Sequence, residues 1–207
     1  MMNIKRWPLL ALGACIAIAS GMIGCGSGGE AVEPGKITFI SSRSGQDRIY
    51  IMDFAGRNVT EITTTGSGVS APSLSPDEKK VAYVTAKDGN AEIYIASTDN
   101  TGNPVRMTNN TASDTQPAWS PDGKQLAWTR EADATVSVDT IIVKPLTGEE
   151  QPLIGEAKCP AWSPAGDKIA FASDRDGEEA IFQYTFVGNT VSRLTTLPPS
   201  MAVDHLS

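Results

Sequence analysis

The residues able to do chemistry in this chain are few and scattered. Histidine occurs once, at 205, so no second imidazole is at hand to build a zinc site or to share acid-base work. Ser207 lies two residues on, yet "DHLS" contains no G-x-S-x-G elbow to raise a serine nucleophile. In "SDRDGE", residues 173 to 178, Asp174 and Asp176 stand two apart as calcium ligands do, but the remainder of a D-x-[DN]-x-[DN]-G-x₅-E loop is missing. Cys159 precedes "PAWSP" with no base nearby in the chain. The reading is therefore of no catalytic residue, no metal and no cofactor, with His205 either lining an opening or marking a terminal structural unit.

These residues take their meaning from the elements around them, and those elements repeat. "PAWSPDGKQLAW" at 117 to 128 returns as "PAWSPAGDKIAF" at 160 to 171, and in weaker form as "PSLSPDEKKVAY" at 72 to 83. The Ser-Pro pairs at Ser75, Ser120 and Ser163 are spaced by 45 and 43 residues, the size of one four-stranded propeller blade. Within the unit at 117, "PAWS" is a first strand, "PDGK" a turn closed by an Asp that bonds nearby backbone and a Gly that accepts positive φ, "QLAWTR" a second strand, "TIIVKP" a third and "QPLI" an edge strand. Cations at Arg43, Lys87 and Arg175 each precede a Gly turn between second and third strands, a hairpin brace by virtue of its repetition. The fold class is all-β, a propeller of about four four-stranded blades.

The first unit, "KITFIS", "RIYIMD" and "VTEIT", lacks an opening strand. Thr63 to Ser75, Thr108 to Ser120 and Thr195 to Ser207 are each twelve residues apart, so "DHLS" falls in register with "PSLS" and "PAWS". That alignment places Leu206 with Leu74, Trp119 and Trp162 as buried repeat positions, and it lets the C-terminal strand complete the blade begun near the N-terminus. A monomer closed by its own ends is favoured; a homodimer of half-rings and a truncated larger ring stay open.

Residues 1 to 24 read as a lipoprotein-type signal peptide: Lys5 and Arg6, an apolar run, then small residues before Cys25, whose thiol would be acylated after cleavage, with Cys15 in "LGAC", a plain secretory signal or an uncleaved anchor as the alternatives. Residues 25 to 35, with "GSGGEAVEPG", form a tether, and 36 to 207 the folded domain. Cleavage removes two of the 17 Lys and Arg, leaving 15 against 24 acidic residues, a net charge of −9. Such a chain is unsuited to nucleic acid. With Cys25 acylated, Cys159 has no partner cysteine for an internal disulfide.

The run "AWSPDGKQLAW", "AWSPAGDKIAFASDRDG", "IFQYTF" and "SRLT" resembles the WD40-like propeller repeat of the C-terminal domain in the periplasmic TolB protein family, over residues 36 to 207. The resemblance implies a rigid disk, exported to the cell envelope, whose loops and central opening hold protein partners or small ligands. Loops entering the first strands gather with the second-to-third-strand hairpins on one face. On that face Asp114, Lys158, Asp204 and His205 are the candidate channel-mouth binding residues. The expected function is a membrane-tethered module binding or scaffolding an envelope protein on the periplasmic side of an outer membrane. The alternative is a propeller enzyme, or an accessory propeller of a hydrolase or polysaccharide lyase.

Overall fold

The computed structural model describes residues 35 to 62 and 68 to 195. Every regular element among them is a strand, and within each of four sheets consecutive strands pair antiparallel. The first sheet holds three strands, β1 (Lys36–Ser41), β2 (Arg48–Asp53) and β3 (Thr60–Glu61). The second holds β4 (Ser70–Leu74), β5 (Lys80–Thr85), β6 (Glu92–Ser97) and β7 (Val105–Arg106). The third runs through β8 (Asp114–Trp119), β9 (Gln125–Arg130), β10 (Thr140–Pro145) and β11 (Gln151–Gly155), and the fourth through β12 (Lys158–Trp162), β13 (Lys168–Ser173), β14 (Ala180–Thr185) and β15 (Thr190–Arg193). The propeller blades expected from the repeat are these sheets.

Side-chain alternation explains how the sheets stack. Val81 and Tyr83 of β5 pack with Ile49 and Ile51 of the first sheet, while Ala82 and Val84, one residue out of phase, pack with Trp119, Leu126 and Trp128 of the third. Because both faces are covered, β5 is an almost unbroken apolar run. In the fourth sheet Ile169, Phe171, Phe182 and Tyr184 bury one face against Ala127, Ile141 and Val143, and burial in β13 alternates residue by residue. Each fully buried side chain of this kind stabilises by roughly 1.5 to 3 kcal/mol. All three interfaces set the aromatic face of the later sheet on the aliphatic face of the earlier one. The first and fourth sheets make no substantial contact with each other among the described residues.

The Ser-Pro motif is a structural device. Ser120 donates its hydroxyl proton to Asp122 at 2.6 Å and accepts the Gln125 amide at 2.9 Å, while Gly123 turns the chain at φ 68°. Ser75 does the same with Asp77 and Lys80. In the last unit Ser163 reaches Asp167 instead, because Ala165 replaces the turn aspartate.

The innermost strands depart from expectation in one respect. Pairing does not begin at "PAWS" but up to three residues earlier, across a β-bulge that recurs in β4, β8 and β12. The bulged residues Ala71, Gln116 and Cys159 have φ of 46°, 55° and 55°, a left-handed conformation that costs non-glycine residues roughly 1 to 2 kcal/mol each. A proline follows every one of them, so its missing N–H falls where the ladder is already broken. Asp114 and Lys158 are consequently the first residues of strands, not loop residues as expected.

Leu74 and Trp119 are both 7% exposed, as their repeat position predicts. Trp162 is only half-buried, a correction with a plain cause: Trp119 has β12 of the following sheet beside its strand, and no described sheet follows Trp162. Leu206 and the closing strand lie outside the described residues. So do Cys25, Asp204 and His205 and the signal segment.

Candidate functional site

The hairpins between second and third strands open onto the same end of the sheets as the starts of the innermost strands. Three of these connections are six residues long, and the fourth, 131 to 139 in the third sheet, has nine. Asp133 folds this longer loop back on itself, accepting the amides of Thr135 and Val136 at 2.7 and 2.8 Å, and Asp139 accepts the Ala132 amide at 2.8 Å. These bonds hold the Asp133 carboxyl down at about 2, the Thr135 hydroxyl contributing most.

Between that loop and the hairpin of the fourth sheet lies a cleft of about 410 Å³. Val138 and Asp139 form one wall, Asp174 and Arg175 the other, and Glu156, Ala157 and Lys158 the floor. Arg175 ties the wall to the floor, donating to the carbonyls of Gly155 and Glu156 at 2.9 and 3.2 Å while its guanidinium lies 5.0 and 5.3 Å from the ring centres of Phe171 and Phe182. Such stacking on aromatic faces adds attraction without removing the donors from use. Lys158 pairs with Glu179 at 3.0 Å, and this hydrogen bond holds its ammonium above the ordinary lysine range.

Asp114 sits elsewhere and is differently employed. It has no exposed surface, and Arg130 grips both its oxygens at 2.8 Å while Asn110 donates to one of them at 2.6 Å. Arg130 Nη2, one of the two nitrogens on Asp114, also donates to Glu150 at 2.9 Å. The pair pins the loop at 109 to 113 to the start of β8. The structure thus brings Lys158 to the cleft and leaves Asp114 beneath the surface. A matching buried carboxylate, Glu92, is engaged by Thr108, Arg106 and the Asn110 amide.

Sequence reasoning missed Asp139, Glu156 and the nine-residue loop that carries Asp139. The extra length of that loop against its three counterparts was the available signal. Chemically the cleft is a surface of mixed charge with two cations among three carboxylates. Ser173, the hydroxyl nearest to it, donates to the Glu156 carbonyl and accepts from Arg175, so no base is placed to activate it. Among the described residues no group of three His, Cys, Asp or Glu side chains could hold a metal ion.

Comparison with known proteins bears on the same sheets. The family model described as the TolB beta propeller domain matches residues 32 to 141. A protein TolB homolog from Chlorobaculum tepidum is 31% identical over 103 residues, 50% of this chain and 23% of that protein. The Tol-Pal system protein TolB of Alcanivorax borkumensis is 31% identical over 102 residues, 47% of this chain and 23% of its own length. This chain thus matches about a quarter of the length of these relatives. The crystal structure of TolB from Acinetobacter baumannii superposes with a TM-score of 0.68 at 26% identity, covering 77% of this chain and 40% of that one.

Proposed function

The chain belongs to the TolB beta propeller domain family, and from that premise we propose that it is an exported binding module whose cleft between the third and fourth sheets engages a protein of the cell envelope. The observation that carries this reading is the cleft itself: Arg175, Asp139, Glu156 and Asp174 on loops are gathered with Lys158 at the start of β12, all held by the sheets beneath them. Rigid scaffolds place recognition on such loops, and a surface of alternating sign favours a partner with polar, oppositely arranged side chains. The system in the name of the Alcanivorax relative makes a Tol-Pal component the first partner to test. Attachment to the membrane through an acylated Cys25 would keep the cleft within reach of such a partner.

A photo-reactive amino acid at position 158 tests the proposal in cells. Cross-links from 158 to one Tol-Pal component, lost when Asp139→Lys and Asp174→Lys invert the charge of the cleft, are the expected result. Cross-linking that survives this inversion, or that is equally strong from Val187 on the far hairpin, would overturn it. A catalytic reading draws no support from the cleft, where Ser173 is committed to structural hydrogen bonds.

A further inference from the structure

Three times along this chain the aromatic face of one sheet covers the aliphatic face of the sheet before it. Two faces of those same kinds have no covering sheet among the described residues. On the first sheet Phe39 and Tyr50 are cross-strand partners with ring centres 5.6 Å apart. Phe39 is half-buried there, whereas its repeat counterparts Tyr83, Trp128 and Phe171 are all within 1% of full burial. On the fourth sheet the outward face carries Ala170, Ala172 and Ile181. Their counterparts Ala82, Val84 and Ile93 are buried under the third sheet, while Ile181 is 40% exposed.

Arg43 sharpens the comparison. Its guanidinium lies 5.3 and 4.7 Å from the ring centres of Phe39 and Tyr50, and its Nε donates to Ser41 Oγ at 3.1 Å. Arg175 has the same posture over Phe171 and Phe182, with its Nε on Ser173 Oγ at 2.9 Å. They differ at the tip: Arg175 Nη2 reaches two carbonyls on the segment leaving the preceding sheet, and Arg43 has no such acceptors among the described residues. The first sheet therefore carries the side chains of an interface on a face that no described sheet covers.

We propose that the face bearing Phe39, Tyr50 and Arg43 receives the face bearing Ala170, Ala172 and Ile181 of a second copy of this chain. Two copies then join head to tail through two equivalent contacts of the kind each copy already makes internally. Among the described residues the first and fourth sheets of one copy make no substantial contact, so these two sheets do not cover each other's faces. Charge agrees with the pairing: a hairpin of net charge +1, with Arg43, Asp47 and Arg48, would lie beside one of net charge −3, with Asp174, Arg175, Asp176, Glu178 and Glu179, since hairpins of adjacent sheets open at the same end. A head-to-tail contact closes only if its rotation suits the number of copies, and otherwise it runs on as a filament.

The test is sedimentation of the full 207-residue chain in mild detergent over a concentration series, with detergent contribution matched out. The expected species has twice the 21.9 kDa chain mass. Ile181→Arg and Arg43→Ala should each raise the dissociation constant of the pair by about tenfold or more, while Val187→Arg, at a residue 83% exposed on a different turn, leaves it unchanged. Ile181 is exposed enough for its substitution to leave the circular dichroism spectrum intact. As a second readout, in chains carrying Cys15→Ser, Cys25→Ser and Cys159→Ser, Phe39→Cys and Ile181→Cys variants should form an oxidised cross-link only when mixed. A monomer at every concentration, species growing beyond the pair, or association indifferent to both substitutions would each overturn the proposal. So would a cross-link that forms within one chain carrying both cysteines but not between chains.

Discussion

Trp119→Ala is the perturbation whose cost the structure defines most closely. The side chain is 7% exposed and packs with Ala82, Val84, Ile93, Leu126, Trp128 and Ile142 across the interface between second and third sheets. Its indole Nε1 donates to the Ser73 carbonyl at 3.0 Å. Removing so large a buried group costs about 3 to 5 kcal/mol, and leaving a buried carbonyl without its donor accounts for roughly 1 to 3 kcal/mol when tested alone. Trp119→Phe separates the two effects, since it retains most of the packing and loses the hydrogen bond. Trp128→Phe is the control: the fully buried Trp128 Nε1 has no acceptor among the described residues, so this substitution costs packing alone and strands no hydrogen-bond partner. The repeat counterpart Trp162 is half-buried, stacks on Phe186 at 5.5 Å and donates to the Ala118 carbonyl at 3.2 Å, so truncating it should cost less than truncating Trp119. Urea unfolding followed by far-ultraviolet circular dichroism reads all four variants. With a slope of about 2 kcal/mol/M, Trp119→Ala should lower the midpoint by about 2 M. Equal losses at 119 and 162, or a larger loss for Trp128→Phe than for Trp119→Phe, would refute the reasoning.

Other consequences can be measured on the same material. Asp114→Ala leaves the largely buried Arg130 guanidinium with Glu150 as its remaining carboxylate and should destabilise by up to about 3 to 5 kcal/mol, whereas Asp114→Leu combined with Arg130→Met should recover most of that loss in the same urea assay. Hydrogen bonds from the Ser97 hydroxyl, and then from Thr101, hold the Asp99 carboxyl at about 2, below the ordinary aspartate range. Its contribution to stability is therefore complete above about pH 4 and lost as pH falls through about 2; carbon-detected titration should show Asp99 ionised at pH 3, and Thr101→Val should raise its midpoint. Cys25→Ser should release the protein from membranes or block its maturation, and mass spectrometry finding an unacylated N-terminus beyond residue 25 in the wild type would refute the anchor.

The parts of the fold that could be read directly are those written in local spacing. Ser75, Ser120 and Ser163 mark the same turn because each must meet a carboxylate and an amide a few residues away, a constraint the chain shows as a motif. Tyr83, Trp128 and Phe171 reveal the sheet faces by alternation. The bulges at Ala71, Gln116 and Cys159 left no such trace, since an alanine, a glutamine and a cysteine share no property that announces positive φ; only the proline after each hinted at a broken ladder. Asp114 was misplaced for a related reason. A carboxylate in a polar stretch looks solvated, and its partner Arg130 is sixteen residues away across a bulge, beyond the reach of any local pattern. Lys158 lies beside the cleft at the start of β12 and was expected in the loop before it, whereas Asp139 comes to the cleft only through the folded shape of a long loop.

Several of the contacts between sheets also have a direction in time. Trp119 reaches back to Ser73, Trp162 to Ala118, Arg175 to Gly155 and Glu156, and the Cys159 amide to Gln116. In every case the donor emerges from the ribosome after its acceptor, and each later sheet lays its bulky aromatic side on a surface already made. A nascent chain can thus add sheets in order of synthesis, each finding its template complete, and the longest wait for any of these contacts is about one repeat of translation. Assembly of this kind is vectorial: a stalled chain holds finished units followed by one unfinished unit, and the newest sheet alone displays an uncovered aliphatic face to quality control.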